Sequence, residues 1–185
     1  CMKCITISGK AGHGKDTFAG NLKKNLEAKG YRVCVFHYAD YIKMIAKEIY
    51  CWDGQKNDIG RTILQSLGDK LRAKNPRVII DELIKILQLV EEDFDFALIP
   101  DARFPIEIEA LKEFWKTTSV YINRVNYENK LTSHQKKHIT ETAMDNYIYD
   151  FNYDIEENVF LDYSDQLTGD NLQLTTYNLQ LTTYK

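Results

Sequence analysis

The chain has no stretch near the roughly 18 consecutive apolar residues that a membrane-spanning helix needs, which removes a bilayer helix as its organising element. The start also lacks the charged, apolar and small-residue sections of a secretory signal, so the expected setting is the cytoplasm, with Met2 the expected natural start after Cys1. Net basic charge is missing: 24 Lys and Arg against 27 Asp and Glu leave a formal charge of -3. A protein that wraps a nucleic-acid backbone is thereby disfavoured, and no stable nucleic-acid or membrane partner is expected. Proline and glycine are scarce, at 3 and 9 residues of 185, which argues against collagen-like, linker or disordered sequence. Cysteine occurs at positions 1, 4, 34 and 51. The single C-x-x-C has no second close pair and no spaced histidine pair to complete a zinc site. Cys4 and Cys34 lie in strand-like runs and read as buried thiols in a reducing compartment.

What is present is an ordinary globular composition, 44% apolar and 28% charged, at the length of one α/β domain. Lys3 to Ser8 is a β-branched run ending at glycine, and Lys15 to Lys29 then spaces Phe18, Leu22 and Leu26 as a helix does. Arg32 to His37 reads as a second strand and Tyr41 to Tyr50 as a helix, followed by amphipathic helices over Ile59 to Ala73 and Val78 to Val90, parted by Asn75-Pro76. Asp95 to Pro100 is a third strand, Ile106 to Trp115 a helix, Ser119 to Asn123 a fourth strand and Tyr153 to Ile155 a short fifth. Asn126 to Lys137 is polar and reads as mobile, and His138 to Tyr147 reads as helical. Strands alternating with helices predict a parallel sheet with helices on its faces. An exact tandem repeat, NLQLTTY over Asn171 to Tyr177 and Asn178 to Tyr184, is too short for a solenoid and reads as a terminal appendage.

The strongest chemical signal lies between the first strand and first helix. Gly9, Lys10, Ala11, Gly12, His13, Gly14, Lys15, Asp16 and Thr17 fit G-x-x-x-x-G-K, with Asp where Ser or Thr is usual. Glycines let backbone N–H groups curl around phosphate oxygens, the helix N-terminus adds partial positive charge, and Lys15 neutralises the outer phosphates. These nine residues are the expected ATP site. Asp16 replaces the hydroxyl that usually meets Mg²⁺ with a carboxylate.

The order Gly-Lys-Asp-Thr resembles the loops of the deoxynucleoside monophosphate kinases found largely in bacteriophages. The similarity continues in order to about Asn158. Ala39-Asp40 with Lys43 is similar to that family's Ala-Asp-x-x-Lys segment, and Arg61, Leu64-Gln65, Gly68 and Arg72 to its Arg, Leu-Gln and Gly helix. Asp101-Ala102-Arg103-Phe104-Pro105-Ile106-Glu107, after an apolar strand, looks like its Asp-x-Arg-Phe-Pro-x-Glu, and His138-Ile139-Thr140-Glu141 like its His-x-Ser/Thr-Glu element. The last is an ion pair or helix-start cap rather than zinc chemistry, since the second histidine of H-E-x-x-H is absent.

The resemblance implies a three-layer P-loop NTPase fold of about five parallel strands in a single domain over 1–185. It further implies a helical monophosphate-binding insertion over about 40–92, a short lid over about 124–138 and an appended tail over about 165–185. It implies ATP-dependent transfer of the γ-phosphoryl group to the 5′-phosphate of a deoxynucleoside monophosphate. Lys15, Arg103 and Arg124 are then catalytic, and Asp40, Lys43, Arg61, Gln65, Arg72 and Asp101 contact the substrate. Asp16 and Asp101 hold Mg²⁺, partly through water. Lys130, Lys136 and Lys137 in the lid read equally as a cationic flap or a solvated face. A monomer or homodimer is expected. An arginine-rich, base-poor inventory suits an acceptor phosphate that is already ionised at neutral pH. The rivals are a related small-molecule phosphate kinase such as a phosphomevalonate kinase, a partner-stimulated P-loop ATPase, and a silent nucleotide-binding module. Tyr38, Tyr41, Tyr50 and Trp52 lie near the acceptor segment, where packing is their commoner use than base stacking.

Overall fold

The computed structural model describes residues 1–169, so the NLQLTTY repeat lies outside the described residues. Five strands, β1 (Lys3–Ser8), β2 (Val33–Val35), β3 (Phe96–Ile99), β4 (Thr117–Arg124) and β5 (Phe151–Ile155), form one sheet in the order β2-β3-β1-β4-β5. Every pairing is parallel, with Ile5 opposite Leu98 on one side and Thr118 on the other. A parallel sheet needs cover on both faces, and the alternation along β1 supplies it. Ile5 and Ile7 face a layer formed by α1 (Lys15–Ala28) and α8 (Ser164–Thr168) through Phe18, Leu22, Leu26 and Leu167. Cys4 faces the other layer, where α2 (Ala39–Tyr50), α4 (Val78–Val90) and α5 (Pro105–Lys112) bring Ala46, Leu83, Leu87, Ile108 and Leu111. Each fully buried Leu or Ile contributes roughly 1.5–3 kcal/mol, so both layers are substantial cores. The buried Cys4 and Cys34 are free thiols, and burial pushes Cys4 up to about 12.

The insertion is α2, α3 (Asp58–Lys74) and α4, with α3 resting on the other two. Periodicity predicts α2 from Tyr41, yet it begins at Ala39 because the Asp101 carboxylate accepts from Tyr38 N and Ala39 N, each at 2.9 Å. A cap from a distant strand end cannot be read from local sequence. The helix expected over His138 to Tyr147 shrinks to α7 (Ile139–Thr142), followed by turns. The polar segment before it is ordered by α6 (Ser133–Lys136), whose Thr132 Oγ1 accepts from Gln135 N while Gln135 Oε1 accepts from Thr132 N. Gln135 and Leu131 are buried there, against the expectation of a uniformly polar, mobile lid. Within the tail expected from about 165, α8 buries Leu167 against α1, and Lys29 pairs with Asp165.

Candidate active site

The loop after β1 bends through two left-handed glycines, Gly12 at φ 76° and Gly14 at φ 87°, a conformation that costs other residues roughly 1–2 kcal/mol. Gly14 is the residue before α1, so that helix's first N–H groups open into the loop. A side chain at Gly12 would also meet the Tyr127 hydroxyl, 2.6 Å from where a Cβ would sit. Lys15 folds back over the loop, its Nζ donating to Gly9 O at 2.8 Å and Lys10 O at 3.3 Å. Burial, then the neighbouring Arg103, pushes the Lys15 ammonium down to about 8. Polyphosphate oxygens beside it would push it back up.

In front of the loop is a cavity of about 510 Å³, walled by α1, the insertion, the end of β3 and Leu131, Thr140 and Glu141 from the segment after β4. It gathers Lys15, Asp16 and Thr17 with Lys43, Arg61, Gln65, Arg72, Asp101, Arg103 and Arg124. Arg61 is held by its Nε donating to Lys56 O at 3.1 Å. The Arg72 guanidinium lies 4.5 Å over the Phe104 ring, and burial lowers its pKa. Asp101 spends both carboxylate oxygens on the α2 amides, and Asp16, which is exposed, meets His37 Nε2 at 2.7 Å. That hydrogen bond holds the Asp16 carboxyl low and the His37 imidazole high. Arg124 stacks 4.1 Å over the Tyr127 ring, pairs with Glu157 at 2.9 Å and donates its backbone N–H to His13 Nδ1 at 3.0 Å. Burial, then Lys15, lowers the His13 pKa.

A second cavity, about 230 Å³, opens on the other side of Gly14 and Thr17, walled by Phe18, Leu22 and the segment after β5 that includes Val159, Phe160 and Leu161. It shares Gly14, Thr17 and Arg124 with the first.

Not every expected site residue converges. Asp40 is exposed on α2 and pairs with Lys43 at 3.8 Å rather than facing the large cavity. Lys10 turns to Glu141 O and Asp145, away from that cavity. Gly9 and His13 line other cavities, His13 the one described above. Lys136 pairs with Glu128 on the surface. Tyr38 is packed rather than free to stack, its hydroxyl donating to Glu107 O at 2.7 Å, and Trp52 is likewise buried.

Sequence reasoning did not assign His37, Lys56, Leu131, Glu107 or Glu141 to the cavity wall, yet all five line it. For Glu107 and Glu141 the signal was there, in the short motifs ending at each; His37, Lys56 and Leu131 carry none. Among the described residues no group of three or more His, Cys, Asp or Glu could hold a metal by itself. No helix there is long and apolar enough to cross a membrane.

No known family model matches the chain, and no curated protein matches it. Among solved structures it is similar to two of APS kinase CysC from Mycobacterium tuberculosis, a cysteine-to-alanine mutant and a complex with AMPPNP and APS. Each is 13% identical; the matches cover 93% of this chain and 97% and 98% of those chains, at TM-scores of 0.45 and 0.43.

Proposed function

We propose that this chain is a phosphotransferase that moves the γ-phosphoryl group of ATP to the 5′-phosphate of a deoxynucleoside monophosphate, giving the diphosphate and ADP. The observation that carries this reading is the single cavity of about 510 Å³ in which the loop and Lys15 face Arg61, Arg72, Arg103 and Arg124. Four guanidiniums in one cleft suit two phosphorylated ligands better than one, because each planar fork grips phosphate bidentately. The smaller cavity beyond Gly14 and Thr17 has the apolar walls a nucleobase needs, and Arg124 borders both spaces.

In this reading the donor triphosphate lies along the loop, its oxygens on backbone N–H groups and on Lys15. Arg61 and Arg72, on α3, hold the acceptor phosphate. Arg103 and Arg124 reach the equatorial oxygens of the transferring group, where charge spreads in a loose transition state. No side chain need remove a proton, since the acceptor oxygen is already ionised. Mg²⁺ takes most of its ligands from phosphate and water and needs only one or two carboxylates, so Asp16, with Asp101 behind a water, fits it. The chemistry it supplies when bound is neutralisation of the β- and γ-oxygens. The lid, docked on α3 through Gln135, would keep bulk water from the phosphoryl group.

The test is Mg²⁺-dependent ADP release with ATP and each common deoxyribo- and ribonucleoside monophosphate, with direct detection of the diphosphate. Diphosphate is expected from at least one deoxynucleotide, and Lys15→Ala should lower kcat by about 10²–10³-fold, the usual cost of removing one transition-state donor. ATP binding without any diphosphate product would overturn the reading.

A further inference from the structure

Glu141 is a buried carboxylate hydrogen-bonded to the loop, its side chain only 4% exposed. Its two oxygens face two donors on different elements: Oε1 accepts from Arg103 Nη1 at 2.9 Å and Oε2 from Ala11 N at 3.2 Å. Its carbonyl accepts from Lys10 Nζ, so a third group is tied to the same residue. Glu141 is itself held from behind. It sits on α7, which is capped by His138, whose Nδ1 accepts from Thr140 N at 3.2 Å and whose Nε2 meets Asp69 Oδ2 on α3 at 2.7 Å.

The geometry points to Glu141 as the positioning residue that sets Arg103 against the start of the phosphate loop. Arg103 follows β3 on a turn, and its long side chain has many rotamers; a buried carboxylate anchored to the loop backbone selects one of them. The guanidinium and the loop then keep a fixed separation, because both hydrogen bonds end on one planar group. A displacement of about 1 Å at a group that contacts the reacting phosphoryl can cost roughly 10²-fold in rate. The charge matters as much as the reach. An uncompensated Arg103 beside Lys10 and Lys15 would be repelled from the site that needs it, and Glu141 supplies the opposite charge from the cavity wall. What Arg103 acts upon rests on the phosphotransferase reading above; the coupling of Arg103 to the loop does not.

Substitution separates positioning from mere support. Glu141→Gln has one acceptor where two are needed, so whichever way its amide turns, an NH₂ group faces an N–H donor. Glu141→Asp keeps both acceptors on a shorter stem. Arg103→Ala and the double variant Glu141→Gln/Arg103→Ala complete a cycle. With the acceptor that the wild type uses, Glu141→Gln should lower kcat by about 10²-fold, as for a misplaced catalytic group. Its acceptor KM should change by less than about 3-fold, and Glu141→Asp should recover part of the rate. In the Arg103→Ala background Glu141→Gln should change kcat by less than about 3-fold, since residues acting as one unit are not additive. Near-wild-type kcat in Glu141→Gln, or effects that multiply in the double variant, would overturn the inference. A wild type that makes no diphosphate instead defeats the functional reading. The same cycle is then read on ATP affinity by calorimetry, where non-additivity supports the coupling and additivity refutes it.

Discussion

Gly60→Ala sets two effects of opposite sign against each other. Gly60 is the third residue of α3, and its N–H donates to the capping Asn57 Oδ1 at 2.8 Å. By helix propensity alone, alanine there should stabilise by about 1 kcal/mol. The structure gives the other answer. An added Cβ would lie 1.9 Å from Gln55 O, 2.8 Å from Trp52 Nε1 and 3.2 Å from Gln55 C. Gln55 O is the acceptor of the buried Trp52 indole N–H at 3.1 Å, and the turn that holds it is closed by Gln55 N donating to Asp53 Oδ1. The methyl group therefore meets backbone that cannot swing aside. Overpacking costs about 1–3 kcal/mol, and disrupting the indole bond about 1–3 more. Less the propensity gain, the variant should be destabilised by about 1–5 kcal/mol, centred near 3. For a domain of this length each kcal/mol moves the melting temperature by about 2–4 °C, so the central value, about 3 kcal/mol, corresponds to a fall of roughly 6–12 °C in thermal denaturation followed by circular dichroism. Arg61 is the next residue, so the acceptor KM should rise more than the ATP KM. Gly20→Ala is the control: it lies in α1, exposed, with nothing within 4 Å of an added Cβ, and should raise stability by about 0.5–1 kcal/mol. A Gly60→Ala protein as stable as the wild type would refute the reasoning.

Glu107 is pushed up to about 7 by burial, from an ordinary 4.5. The folded state thus keeps a proton that the unfolded chain has lost, and this group's contribution is fully present below 4.5 and declines as pH rises through 7. Glu107→Gln can still accept from Arg103 N and Phe104 N, which both use one oxygen, so the fall in urea midpoint between about pH 5 and pH 8 should flatten while the fold persists. An unchanged slope would show that Glu107 does not carry it. Gln135 Nε2 donates to Asp58 O at 3.2 Å, clipping α6, in the proposed lid, to α3. Gln135→Ala should lower stability by about 1–2 kcal/mol through the lost cap and bond. It should also raise the ratio of ADP released to diphosphate formed above one, as water reaches the phosphoryl group; a ratio that stays at one would mean that another contact closes the lid.

The parts of the fold legible in the sequence are those whose cause is local. Ile5 and Ile7 alternate with polar or small neighbours, Phe18, Leu22 and Leu26 repeat at helical spacing, and Asn75-Pro76 stops a helix, so five strands and the α2–α4 insertion could be read in order. The glycine loop was legible because its backbone demands are written in residue type. What escaped depends on distant partners. The start of α2 is set by Asp101, the order in the lid by Gln135 against α3, and the place of Glu141 by Ala11 and Arg103. Asp40 and Lys43 share a motif, but only Lys43 turns into the large cavity, because a helix carries residues three apart on neighbouring, not identical, bearings. The wall beyond β5 gave only a short apolar trio, Val159, Phe160 and Leu161, with no period to identify it.

The strand order also governs how the chain can acquire this structure. β1 is made before the other four strands of the sheet, and it is central: Lys3 pairs with Phe96 and Ser8 with Tyr121. At about 5–20 residues per second, β1 waits roughly 5–20 s during synthesis for its neighbours. In that interval α2, α3 and α4 can associate with one another, but the apolar face of α4 has no sheet to cover. Contacts so far apart in sequence make closure of the sheet the slow step and give the domain the kinetics of a non-local fold. A nascent chain that stalls before β4 is therefore one with an edge of its central strand unpaired, and protection of the Cys4 amide, which donates to Lys116 O, should appear only after Arg124 has been added.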